Sequence, residues 1–116
     1  QLKTPLFMLW PNREPKEFTQ RTSHNDIVPT LLTEVLGCSN PASDYSSGFN
    51  LFSGKSWEYL VTGSYDSYAI VSKDQVVVSY GGYYEVMNQD YQPTSSGDLD
   101  KSLLASAMKE MKRFYK

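Results

Sequence analysis

The chain has 116 residues, 40% of them hydrophobic and 21% charged, and a net charge of −2. That length supports one domain with one core. The acidic balance argues against a nucleic-acid partner, and no apolar run approaches the ~20 residues that cross a bilayer.

The chain opens Gln1-Leu2-Lys3-Thr4, without an initiator methionine or a signal peptide, and is expected to be a fragment of something longer. Pro5-Leu6-Phe7-Met8-Leu9-Trp10 is a continuous apolar run stopped by Pro11. Such a run predicts a strand buried on both faces. Residues 12 to 21 are polar, with mixed charge and Pro15, and read as a surface loop.

Ser23-His24-Asn25-Asp26-Ile27-Val28-Pro29-Thr30 opens a helix. Ser23 and Asp26 have the spacing of a capping box, with Asp in place of the longer Glu. Pro29 lacks an N–H, which is harmless only in a first turn, so the continuous helix is expected to start near Asp26 or Ile27. Ile27, Val28, Leu31, Leu32, Val35 and Leu36 recur at helical spacing and form one apolar stripe, which Gly37 closes. As a cap alone, Asp26 contributes about 1 kcal/mol.

Residues 41 to 56 form a turn-rich connection holding Pro41 and Gly48. Four β-prone runs follow: Trp57 to Thr62, Tyr68 to Val71, Gln75 to Tyr80 and Tyr83 to Met87. Lys73-Asp74 and Gly81-Gly82 fall where tight hairpin turns belong, and a glycine pair permits the positive φ such turns use. Seven of the nine tyrosines lie between Tyr59 and Tyr91, as suits a half-exposed antiparallel sheet. A last helix is expected from about Asp98 to Phe114. Asp98 would cap it, Leu103, Leu104, Ala107, Met108, Met111 and Phe114 would form its buried stripe, and Lys109, Lys112, Arg113 and Lys116 suit its C-terminal dipole. The fold class is therefore α+β: a four-stranded antiparallel sheet packed by a C-terminal helix, preceded by a strand and a helix. Three pieces are expected, residues 1–40, 41–56 and 57–116.

His24 is the only histidine and Cys38 the only cysteine. Cys38 excludes an internal disulfide and a multi-cysteine metal site. A general base needs a pocket and usually an orienting carboxylate, and a zinc site needs three or four ligands. No His-x-x-x-His spacing, nucleophile elbow or phosphate loop is present, so residues 1–116 carry no assigned catalytic residue, cofactor or metal ligand. The helix-entrance role of Ser23, His24 and Asp26 is the better supplied with physical reasons.

The same residues carry a resemblance. Ser-His-x-Asp-Ile-x-Pro-Thr-Leu-Leu followed by Leu36-Gly37, the Gly-x-x-Leu of Gly48 to Leu51, and Tyr84-Glu85-Val86-Met87 with its turn to Pro93 resemble, in order, the last part of sulfatases and related members of the alkaline phosphatase superfamily. The resemblance is nearest to membrane-anchored sulfatase-like proteins of Gram-negative bacteria, which are similar to lipoteichoic-acid synthases and phosphoethanolamine transferases. It implies an N-terminal membrane anchor, a periplasmic sulfatase-like domain ending in this chain, and a divalent metal and nucleophile upstream of residue 1. Residues 1–40 would belong to the end of the α/β core and residues 57–116 to a C-terminal subdomain. The parent would be a metal-dependent hydrolase or transferase acting on phosphate or sulfate esters of the envelope. The alternatives are a non-catalytic regulator that senses envelope lipid or lipopolysaccharide, and an unrelated α+β interaction module.

Under the resemblance, Arg13 and His24 would border the parent's substrate cleft. The partner is the rest of the sulfatase-like domain. Without it, residues 1–40 are expected to self-associate as a two-fold dimer, or Leu6, Phe7, Leu9 and Trp10 to fold back and add a strand to the small sheet.

Overall fold

A computed structural model describes residues 4–94 and 100–113. A 3₁₀ turn, His24–Asp26, leads directly into helix α1, Ile27–Glu34. Two further 3₁₀ turns, Ala42–Asp44 and Leu51–Ser53, lie in the connection. Strands β1 (Tyr59–Gly63), β2 (Ser67–Ser72), β3 (Val76–Tyr80) and β4 (Tyr84–Met87) form one sheet in the order β1-β2-β3-β4, every pair antiparallel. Helix α2, Lys101–Lys112, closes the described chain. The architecture is α+β.

The register explains the core. Ile70 lies opposite Val61 and Val77, and Val77 opposite Val86, so these four share a face. Ala69 and Val76 point to the other face. Ile70 and Val76 are each 1% exposed, and Ala69, Val77 and Val86 are also buried. The two central strands are thus covered on both sides, and α2 contributes the fully buried Ala107.

The hairpins turn over Lys73-Asp74 and Gly81-Gly82, as the spacing predicts: Ser72 N–H donates to Gln75 O at 2.9 Å and Tyr80 N–H to Tyr83 O at 2.8 Å. Neither Gly81 nor Gly82 has positive φ, so that turn does not use the freedom the pair offers. Gly37 does, at φ 65°, where Cys38 N–H reaches back to Leu32 O at 2.9 Å and ends the α1 region.

Four expectations are corrected. Residues 5–10 form no strand, and none is added to the small sheet, because no described residue supplies the run with a ladder partner. Phe7 is 90% and Leu9 95% exposed. The α1 stripe is likewise largely uncovered, with Val28, Leu31, Val35 and Leu36 all exposed. The side of α1 that is buried carries Pro29 and Thr30, because the connection packs there. In α2, Leu103 and Leu104 are half-buried while Met108 and Met111 are exposed, so the covered stripe is narrower than the spacing implies. The α2 cap is Asp100, whose carboxylate accepts the N–H groups of Ser102 at 2.9 Å and Leu103 at 3.1 Å. Asp98, Phe114 and Lys116 lie outside the described residues.

Candidate functional site

Ser23 and Asp26 form a capping box. Ser23 Oγ accepts from the Asn25 N–H at 3.3 Å, and the Asp26 carboxylate accepts from the Ser23 N–H at 2.6 Å. Asp26 does more than cap. It is 2% exposed, and its carboxylate also accepts the Phe49 N–H at 2.7 Å and the Trp57 indole Nε1–H at 2.8 and 3.1 Å. One carboxylate therefore joins the α1 entrance, the connection and the residue two before β1. Charge-assisted bonds of this kind are about twice as strong as neutral ones, and the buried charge requires them.

Thr30, fully buried, repeats the device one turn later. Its Oγ1 donates to Asp26 O at 2.6 Å and accepts the Leu51 N–H at 2.9 Å. Just before the first of these staples the backbones nearly touch. A Cβ on Gly48 would stand 1.9 Å from the Asn25 carbonyl oxygen, so only glycine fits. The two sequence motifs, Ser23 to Thr30 and Gly48 to Leu51, are thus halves of one joint. Sequence reasoning assigned Asp26 its local cap and missed its three-segment role. The legible signal was the pair of motifs itself, together with a Thr in the first turn of α1, among Ile27, Val28, Leu31 and Leu32.

Arg13 and His24 are not brought together. Arg13 pairs with Glu34 at the far end of α1 at 2.5 Å, about 12 Å along the helix from the His24 end. Its guanidinium also lies 4.3 Å from the Phe52 ring centre and 4.7 Å from that of Trp10. Asn50 donates to the other oxygen of Glu34 at 2.7 Å. The Asn50 bond first, then the Arg13 bond, holds the Glu34 carboxyl below its ordinary value.

His24 is exposed on the rim of an open groove of about 1140 Å³ that runs along β1. Its neighbour Asp26 points away from it, into the joint, and so does not orient the imidazole as a catalytic carboxylate would. Across the groove, Ser47 Oγ donates to Glu110 Oε1 at 2.6 Å, and Arg113, the C-cap of α2, donates to the carbonyls of Ser43 and Ser46, each at 2.8 Å. Among the described residues no three His, Cys, Asp or Glu side chains cluster as a metal site would require, and no helix is long and apolar enough to cross a membrane. Cys38 is a half-buried free thiol. The arrangement is that of a rigid joint beside an open sheet edge.

No protein-family profile matches the chain. It is similar to the inner membrane protein YejM of Salmonella typhimurium and of Salmonella typhi, with 28% identity over 115 residues in each case, which is 97% of this chain and 20% of the relative. The matching segment is the C-terminal part of YejM. An uncharacterized protein of Haemophilus influenzae is 26% identical over 98 residues, 83% of this chain and 17% of the relative. The chain spans about a fifth of the length of the curated relatives it matches.

Proposed function

We propose that this chain is the C-terminal scaffold of a membrane-anchored, sulfatase-like protein whose metal-dependent centre, upstream of residue 1, acts on phosphate or sulfate esters of the cell envelope. The observation that carries this reading is the uncovered apolar strip of residues 5–36. Phe7, Leu9, Val28, Val35 and Leu36 are each more than half exposed, next to a joint that is rigidly satisfied. A patch of this kind marks a surface that another body covers. Similarity along nearly the whole chain to one fifth of an inner membrane protein supports the remainder of such a protein as that body. The chain then works by rigidity. The Asp26 joint holds α1 at a fixed angle to the small sheet, and α1 presents its stripe to the core domain, which lies on the periplasmic side in this reading. Arg13 and His24, at opposite ends of α1, reach the parent's cleft only from its border.

The test uses the full-length parent in detergent, assayed with aryl phosphate and aryl sulfate esters and added zinc, manganese or magnesium. Metal-dependent turnover is expected from the parent, none from residues 1–116 alone, and a large loss in the parent on Leu31→Glu with Val35→Glu. A parent with intact fold and no turnover would instead favour a lipid-sensing regulator built on the same scaffold. Turnover by residues 1–116 alone that vanishes on His24→Ala would overturn the scaffold reading.

A further inference from the structure

The two edges of the sheet are finished differently. Bonded pairs alternate along an antiparallel ladder, so the hairpin bonds fix which backbone groups face outward. Ser64 N–H donates to Ser67 O at 2.7 Å, which makes Thr62 with Ala69 and Leu60 with Val71 the bonded pairs of β1 and β2. The N–H and C=O groups of Tyr59, Val61 and Gly63 therefore point away from the sheet. On β4 the same alternation, counted from Tyr80 and Tyr83, turns Val86 outward. That edge is covered. The chain doubles back over it, Thr94 donates to Val86 O from its N–H at 2.9 Å and from its hydroxyl at 3.2 Å, and Met87 bridges to Pro93. The edge of β1 receives no such cover from any described residue.

Nor is β1 defended by composition. Exposed edges are usually blunted by a charge, a proline or a bulge, and Tyr59-Leu60-Val61-Thr62-Gly63 has none. What borders it is the groove, lined without interruption by residues 56 to 64 and walled opposite by Val28, Phe49 and Met111. The groove is also acidic at one end. Glu110 is already paired, with Arg113 at 3.0 Å and Ser47, but Glu58 has no cationic partner among the described residues. Glu58, Tyr59 and Glu110 line the same groove, and burial first, then the charges of Glu110 and Glu58, raises the Tyr59 hydroxyl above its ordinary value.

We propose that the β1 edge is a docking site for an extended segment of a partner protein, apolar on alternate residues and basic at the end that meets Glu58, which joins the sheet as a fifth strand. Main-chain bonds to Tyr59, Val61 and Gly63 supply the affinity, the groove wall takes the apolar side chains, and Glu58 sets the direction of the segment. This site shares Val28 with the uncovered strip of residues 5–36, but its main-chain bonds are to β1, outside that strip, and they are tested separately from it.

The experiment uses residues 1–116 and a capped hexapeptide of lysine followed by alternating valine and threonine. Amide hydrogen exchange read by NMR is expected to slow by about tenfold or more at Tyr59, Val61 and Gly63 on saturation, and to change little at Leu60 and Thr62, which already bond to β2. A peptide with glutamate for lysine should bind several-fold more weakly, and Glu58→Gln should remove that preference. Val61→Pro deletes an outward N–H without touching the β1–β2 ladder and should abolish binding. If that variant does not fold, a peptide N-methylated on alternate amides makes the same test with the native chain. Absence of saturable binding, unchanged exchange at the three amides, or equal affinity for the N-methylated peptide would overturn the proposal.

Discussion

The Asp26 joint and the β-sheet core hold the same chain together by opposite means. The sheet relies on Ile70, Val76 and Val77, side chains with no polar atoms and tolerant of gradual change in shape. The joint relies on one buried carboxylate, one buried hydroxyl and one missing Cβ, each with fixed partners. An apolar core loses stability in proportion to what is removed, whereas a polar joint fails when a single partner goes, because every orphaned donor keeps its desolvation cost. The joint is therefore the part of this chain whose geometry is specified most sharply.

Substitutions can break this contrast. Asp26→Ala should cost about 4 kcal/mol, well above a cap's share, since it strands the Ser23, Phe49 and Trp57 donors together. Ile70→Ala should cost a similar amount, about 3 to 4 kcal/mol. The two are separated by hydrogen exchange rather than by midpoint. Asp26→Ala should expose the amides of residues 47–57 while β2 and β3 stay protected, and Ile70→Ala should weaken the sheet as a whole. If both variants open the same amides, joint and sheet are one cooperative unit and the contrast fails.

Gly48→Ala should cost about 3 kcal/mol, as its methyl group must displace the Asn25 carbonyl. Gly54→Ala, where no atom lies within 4 Å but φ is 73°, should cost only the strain of that conformation, about 1 kcal/mol. A Gly48 variant no worse than the Gly54 variant would show that the two backbones can part. Trp57→Phe keeps the ring contact with Phe49 and removes the indole N–H from Asp26, and about 1 to 2 kcal/mol is expected in denaturant midpoints.

Acid should act at the far end of α1. The Glu34 carboxyl is held below its ordinary 4.5, so its contribution is present above that pH and is lost as pH falls through the lowered value. Glu34→Gln should flatten the acid side of the stability profile, and a profile identical to the parent chain's would remove Glu34 from the account. The smallest effect belongs to His24→Ala, expected within about 0.5 kcal/mol at neutral pH because the side chain is exposed. A larger loss would give His24 a structural partner that the described residues do not show.

How far the sequence was readable follows the range of the forces involved. The hairpins, the four strands and the Ser23–Asp26 box depend on neighbours within a few residues, and periodicity and turn residues report such neighbours directly. Residues 5–10 read as a strand and form none, since a strand needs a partner and an apolar run says nothing about whether one is present. The α1 stripe was visible as a stripe, yet its spacing could not say that the buried side would be the one carrying Thr30. The Trp57 and Phe49 bonds to Asp26 span 31 and 23 positions, beyond the reach of any local pattern. The contrast between a covered β4 and an open β1 lay equally out of reach, because it depends on where the chain goes after Met87.

Arg113 closes a loop of another kind. Its guanidinium bonds to Ser43 and Ser46, 70 and 67 positions earlier, while every strand pair in the sheet joins sequence neighbours. Hairpins between neighbours form within microseconds, whereas contacts that close long loops wait for most of the chain to be in place. During synthesis on a ribosome, the sheet can assemble while the C-terminal residues are still in the exit tunnel. The latch between the C-terminal end of α2 and the connection is made last, so a chain truncated before Arg113 would leave the ribosome with its sheet formed and the Ser43 and Ser46 carbonyls without their guanidinium donor, the connection then tied to α2 by Ser47 and Glu110.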